Sequence, residues 1–500
     1  MKKIGYLFLV FGIACSTPKK EKAEKLYNTH CASCHIAPSP TDLPKHLWSE
    51  SVLPEMAARM GIKDSTYSPY AKYSFREQEA IMRTGLYNVA PQMSQEEWVL
   101  LKEYIIESAP EKIDSIAITA LDSKLSQFVS KPVNLDSIAG SSITYLDTKS
   151  SEGIIVSANL AGKVSKYDYL SKKTVYQDNF EDAVTSFTQK DSVGFVTMVG
   201  NLNPSEIANG KIYQMSNSRI DEIAANLHRP VYTSVFDLNK DGSNEVLVSE
   251  FGHLTGMLSL WSKEGNSPYR KRVLLGQPGV VRTIVKDMNS DGKADVIALT
   301  SQGNEGVTIL YQEEDLNFRS DQVIRFNPLY GSSWFDLVDY NNDGFYDIIT
   351  VHGDNADNTY VKKSYHGMRV YLNNGENQFE EKYFYPLYGA TRFVANDFDQ
   401  DGDLDIGIVS SFPDYEKNPE FSFVYLENLD SENFKFEAFG LENPSLGRWL
   451  LMDTGDIDRD GDEDIILSSF TYYFTPVPDY LYKQWFSSDV DLMVLENQFQ

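Results

Sequence analysis

Cysteine is the scarcest chemically informative residue, with three in 500 at Cys15, Cys31 and Cys34, too few for a disulfide framework. Positive charge is also short. Lys and Arg number 45 against 72 Asp and Glu, a formal charge of −27. That balance excludes nucleic acid and anionic surfaces as default partners, because both need basic patches. Beyond the extreme N-terminus no apolar run reaches 18 residues, so the remaining chain reads as soluble apart from any lipid. Ser-His-Asp order, HExxH and a dinucleotide-binding glycine motif are missing, and no named catalytic reaction is supported. Hydrophobic residues are plentiful at 42%, with 30 Tyr and 27 Phe, enough for packed cores. The length points to at least two domains.

Two of the cysteines form Cys31-Ala32-Ser33-Cys34-His35, the CxxCH spacing of c-type haem attachment. Cys31 and Cys34 add across the haem vinyl groups, and His35 becomes the proximal iron ligand. A zinc site would need two further ligands nearby, and a redox CxxC would need a βαβ context. Neither surrounds this segment.

Cys15 follows Met1-Lys2-Lys3 and an apolar run from Ile4 to Ala14, which is too short to cross a bilayer. The segment reads as a cleaved export signal and resembles a bacterial lipoprotein signal. Residues 1–15 are then the signal, with Cys15 the lipidated residue. The alternative is ordinary cleavage nearby, with Cys15 discarded or left free. Both readings export the chain, which suits haem attachment. The expected location is the cell envelope, in the periplasm or at the outer membrane, with a lipid as the sole membrane anchor.

The acidity concentrates in five copies of one loop. They are Asp237-x-Asn239-x-Asp241-Gly242-x-x-Glu245, Asp287-x-Asn289-x-Asp291-Gly292-x-x-Asp295, and Asp339-x-Asn341-x-Asp343-Gly344-x-x-Asp347. Two more are Asp397-x-Asp399-x-Asp401-Gly402-x-x-Asp405 and Asp456-x-Asp458-x-Asp460-Gly461-x-x-Asp464. Alternating oxygen side chains converge on one point when Gly supplies the turn, a donor set suited to calcium. About five Ca2+ sites are expected. Position 12, where an EF-hand places Glu, is Val248, Ala298, Thr350, Ile408 and Leu467, and each loop runs into β-branched residues, so strands follow rather than helices.

First ligands recur at 237, 287, 339, 397 and 456, and each loop is followed by a second alternating strand such as Val307-Thr308-Ile309-Leu310. Repeats of 50 to 59 residues built from short strands point to propeller blades. Residues 136–500 accommodate seven of them.

These repeats resemble the FG-GAP or VCBS type of calcium-bearing blade. The joined layout resembles bacterial envelope lipoproteins that pair a cytochrome c domain with such a propeller, on segments Leu53-Pro54-Glu55-Met56, Gly353 to Asp357 and Tyr365-His366-Gly367-Met368-Arg369. The resemblance implies a multidomain chain: a small all-α class I-like cytochrome c domain over 20–110, a linker over 111–135, and an all-β, seven-bladed, calcium-binding β-propeller over 136–500.

Within 20–110, Ser74-x-x-Glu77 and Ser94-x-x-Glu97 are capping boxes that start helices. One helix is expected from Pro44 to Gly61, which places Met56 and Met60 four apart on one face. Met56 is the favoured distal iron ligand, with Met60 and Met93 as alternatives. Insertions between the same two strands of several blades would gather His253, Asp354, Asp357, His366 and Arg369 on one face, suited to a carbohydrate or small polar ligand. Three functions follow. The first is an exported haem c electron-transfer protein that meets a redox partner protein in the envelope, with the propeller as docking or ligand-binding platform. The second is a periplasmic dehydrogenase oxidising a sugar or small organic substrate and passing electrons to the haem. The third is a surface module that binds glycans or proteins.

Overall fold

The computed structural model describes residues 18–116, 120–121, 125–190, 192–216, 219–265, 267–354, 361–472 and 475–499. Cys15 and Asp357 therefore lie outside the described residues. The described chain divides into two compact units, one formed by 18–69 with 87–112 and the other by 70–86 with the residues from 113 onward.

The larger unit contains seven four-stranded antiparallel sheets. Six are consecutive in sequence, over 143–179, 184–227, 230–275, 280–325, 332–386 and 390–439. The seventh takes three strands from 449–497 and completes itself with Phe128–Val133, whose register runs from Phe128↔Asn497 to Val133↔Leu492. First strands contact one another around the ring, and the first blade's meets the seventh's. This is a seven-bladed β-propeller closed by an N-terminal strand. The sequence reading had placed that strand in the linker.

Strand periodicity explains the packing. In the third blade Val246 and Val248 enter the core shared with the second blade, while Leu247 enters the core shared with the fourth. Ile297 and Leu299 face the fifth blade, whereas Val296 and Ala298 face the third. Successive side chains of a strand point to opposite faces, so one apolar run serves two interfaces. The second strands of blades three to seven are accordingly buried at every residue. Outermost strands such as Arg270–Leu275 are largely exposed. Helix Phe75–Thr84 belongs to this unit and starts at the Ser74 capping box.

The smaller unit holds helix Pro18–His30 against helix Gln95–Ser108, with Tyr27 and Tyr104 rings 5.9 Å apart. Leu43, Trp48, Leu53, Trp98, Leu101 and Ile105 are buried in it. The helix expected from Pro44 to Gly61 runs without a gap over 45–59, with a π-helical turn at Trp48–Val52 between Lys45–Leu47 and Leu53–Arg59. Pro54 has no N–H to donate, and the widened turn directly precedes it.

The fold-class expectation therefore needs a correction. The fold is a seven-bladed β-propeller with a few short helices, and residues 20–110 do not show a class I-like cytochrome c domain. The helix that starts at Ser74 sorts with the propeller rather than with the helices of 18–69 and 87–112. Capping boxes and apolar stripes report where helices begin, not how they are arranged.

Candidate functional site

All five acidic loops join the first and second strands of blades three to seven. Two left-handed residues shape each one. The fourth position (Lys240, Ser290, Asn342, Gln400, Arg459) has φ between 56° and 63°, and the glycine has φ between 82° and 100°. These turns fold the backbone over the first aspartate. Asp237 Oδ1 accepts the Asp241 amide and Oδ2 the Gly242 amide, both at 3.0 Å, and Asp287, Asp339 and Asp456 repeat the pair. Asp397 likewise accepts the Gly402 amide at 3.0 Å.

The ninth-position carboxylate opens the second strand and is buried in every copy. Asp295, Asp347, Asp405 and Asp464 each accept an amide at or near the end of their blade's third strand, from Gln312, Asn373, Asn428 and Asn497, at 2.8–2.9 Å. Glu245, Asp295, Asp347 and Asp464 also accept the second-position amide, from Leu238, Met288, Tyr340 and Ile457. Burial raises their pKa, to about 6 for Asp347 and about 7 for Glu245, Asp405 and Asp464.

The third position separates the loops. Asn239, Asn289 and Asn341 donate an amide hydrogen to the fifth-position aspartates Asp241, Asp291 and Asp343. In the last two loops that donor is replaced by Asp399 and Asp458, whose carboxyls are pushed up by burial and then by neighbouring carboxylates. Ligand oxygens of Asp397, Asp399 and Asp401 converge within 4.8 Å, as do those of Asp456, Asp458 and Asp464. Asp397 Oδ1 and Asp458 Oδ1 are buried without a hydrogen-bond partner. All-oxygen donors, excess negative charge and orphaned oxygens fit a hard cation.

In the smaller unit, helix Pro18–His30 ends where the Cys31 amide donates to the Tyr27 carbonyl at 2.9 Å. Cys31 is half-buried and Cys34 exposed, and both are free thiols; burial raises Cys31 to about 11. His35 Nδ1 lies 2.8 Å from the Ile36 carbonyl. A carbonyl only accepts, so Nδ1 is the donor in this contact, and Nε2 takes no part in it. Met56 and Met60 are half-buried, and Met93 is buried at 7% exposure.

The residues expected on the ligand face have these surroundings. His253 Nε2 is 2.7 Å from the Tyr73 hydroxyl. Asp354 donates its amide to the Gly331 carbonyl. His366 is fully buried with neither ring nitrogen hydrogen-bonded. Arg369 is also buried, its guanidinium 4.3 Å from the Tyr330 ring, 4.2 Å from the Phe384 ring and 3.4 Å from Glu381. His366 and Arg369 are thus interior groups of the fifth blade.

Sequence reasoning missed a ring at the propeller axis. Every first strand carries a β-bulge after its first paired residue, and the next paired residues are Tyr145, Ser186, Tyr232, Arg282, Trp334, Arg392 and Leu451. The signal was present, because Tyr232, Arg282, Trp334, Arg392 and Leu451 each stand five residues before a loop's first aspartate.

A family model described as an FG-GAP-like repeat matches residues 287–350, from the first ligand of the second loop through the strand after the third loop's ligand set. The chain is thus a seven-bladed β-propeller carrying FG-GAP repeat sequence. Among solved structures it is similar to the crystal structure of the N-terminal domain of Nup159, at 11% identity and a TM-score of 0.41, over 76% of this chain and 99% of that one. No curated protein matches. Among the described residues no helix is long and apolar enough to cross a membrane.

Proposed function

We propose that this protein is an exported haem c electron-transfer protein whose calcium-stabilised propeller is a docking or ligand-binding platform. The observation that carries the reading is the contact of His35 Nδ1 with the Ile36 carbonyl within CxxCH, which leaves Nε2 as the nitrogen for a ligand bond, in a segment with two free thiols. Cys31 and Cys34 would hold the haem covalently, His35 would bind its iron, and Met56 is the proposed distal ligand, with Met60 and Met93 as alternatives. Bound haem supplies one-electron chemistry. Cys15 would carry the lipid anchor in the cell envelope, where a redox partner protein meets the chain.

The five loops would hold calcium through the ligand sets already given, and the loops containing Asp399 and Asp458 have the donor sets most in need of a cation. Bound calcium supplies positive charge at the blade ends and no redox step.

The test is spectroscopic. The protein is produced in a host with haem-ligation machinery, and Cys31→Ala and Cys34→Ala should each lower or abolish covalent haem, with the double variant haem-free by stain after denaturation. Covalent haem in the double variant would sink the assignment. Met56→Ala should remove the weak near-infrared Met-to-iron band, whereas its persistence would transfer the role to Met60 or Met93.

A further inference from the structure

The bulged first strands gather their axial residues into a ring. Tyr232, Arg282, Trp334 and Arg392 keep partial exposure while their strand neighbours Thr233, Thr283, Phe335 and Phe393 are buried. The guanidinium carbon of Arg392 lies 3.5 Å from the Trp334 ring centroid and that of Arg282 lies 4.2 Å from it. Trp334 stands between these arginines in blade order, so two cations share one indole. Tyr232 meets the same indole edge-on at 6.1 Å.

The two arginines differ in how their charge is met. Arg282 reaches the next blade's first strand, with Nη1 donating to the Phe335 carbonyl at 2.6 Å and lying 3.2 Å from Asp336. The residue that stands to Arg392 as Asp336 stands to Arg282 is Asp453. Its Oδ2 instead accepts the Thr148 amide at 2.9 Å, and Lys149 lies 4.0 Å from its other oxygen. Among the described residues no hydrogen bond or close ion pair reaches the Arg392 side chain, and Tyr232 and Asp453 act on its charge only from a greater distance. Burial and the neighbouring Arg282 charge lower its pKa to about 9, which leaves it charged at neutral pH. A charge withdrawn from water needs a partner.

We propose that this axial ring binds a small organic carboxylate, anchored by Arg392 and flanked by Trp334 and Tyr232. The planar guanidinium fork matches a carboxylate in a bidentate pair. Arg282 is paired with Asp336, whereas Asp453 acts on Arg392 only from beyond ion-pair distance, so a monoanion suits the site better than a phosphate dianion. The aromatic walls suit an organic body rather than a bare ion.

The experiment is isothermal titration of the full, haem-loaded and calcium-loaded chain with benzoate, in chloride-free buffer. One site per chain is expected, with affinity at least tenfold weaker in Arg392→Gln and intermediate in Arg392→Lys, which keeps the charge and loses the fork. The surface variant Arg272→Gln should bind as the parent does. The melting temperature of Arg392→Gln without benzoate should hold or rise, because an unpaired charge has been removed, and benzoate should raise that of the parent alone. Absence of benzoate binding to the parent would overturn the proposal. So would unchanged affinity in Arg392→Gln, or phosphate competing as well as benzoate.

Discussion

Asp464 accepts the backbone amide of Asn497 at 2.9 Å, joining the last acidic loop to the strand that receives the N-terminal closing strand. Its other oxygen accepts the Ile457 amide at 3.0 Å. One buried carboxylate therefore sets the loop, the third strand and the closure of the ring.

Asp464→Ala would strand two buried amides. Each such loss costs about 1–3 kcal/mol, so a destabilisation of roughly 2–6 kcal/mol is expected by chemical denaturation in the presence of calcium. A change below about 0.5 kcal/mol would show that the pairing does not support closure.

Calcium removal should lower the melting temperature, because ligand bound to the folded state alone stabilises it, by about 2.7 kcal/mol per site at a hundredfold excess over Kd. Asp399→Asn supplies the amide donor that the first three loops already have. It should weaken calcium binding at that loop while raising stability in chelator. Calorimetry with and without EGTA checks both arms, and identical melts in calcium and EGTA would remove the metal from the loops.

His352 and His366 supply the pH dependence. Both are fully buried and held well below the ordinary histidine value, by burial first, with Arg369 and His366 acting on His352, and Lys363 and Arg369 on His366. His352 also contacts Ser332, which bonds Glu305, and Thr350. Because their folded values are depressed, the stability tied to the neutral rings is present above about pH 6.5 and is lost as pH falls towards those values, at up to about 1.4 kcal/mol per pH unit for each ring. The loop carboxylates raised to about 6–7 contribute the opposite sign over the same range, so denaturation between pH 7.5 and 5 is compared between the parent and His366→Phe, whose difference should carry one ring's share of the slope. An unchanged slope in that variant would assign the effect elsewhere.

Much of the propeller was legible because its determinants are local and repeated. Five loops at fixed register, each followed by Val- and Ile-rich strands, mark five blades, and repeat length supplies the remainder. The closing strand was not legible, since Phe128–Val133 has three consecutive exposed residues followed by Pro132 and takes its partner from the other end of the chain. Proline is tolerated there because the strand is outermost. The smaller unit misled for a related reason. Ser94 and Glu97 cap a helix as expected, yet a cap carries no information about what that helix packs on. The Arg392–Trp334 stack was hidden because two residues nearly sixty positions apart meet only once the bulges and the ring exist.

The closing strand also orders events in time. Leu135 donates its amide to Asp491 at 2.8 Å across 356 positions, just beyond the end of that strand. Six blades can each assemble from neighbouring hairpins as the chain emerges. The seventh stays open until the final strand is synthesised, because its outer edge was made first and its inner strands last. So distant a contact forms slowly, and until it forms the ring presents an unpaired strand edge, open to chaperones or to other chains.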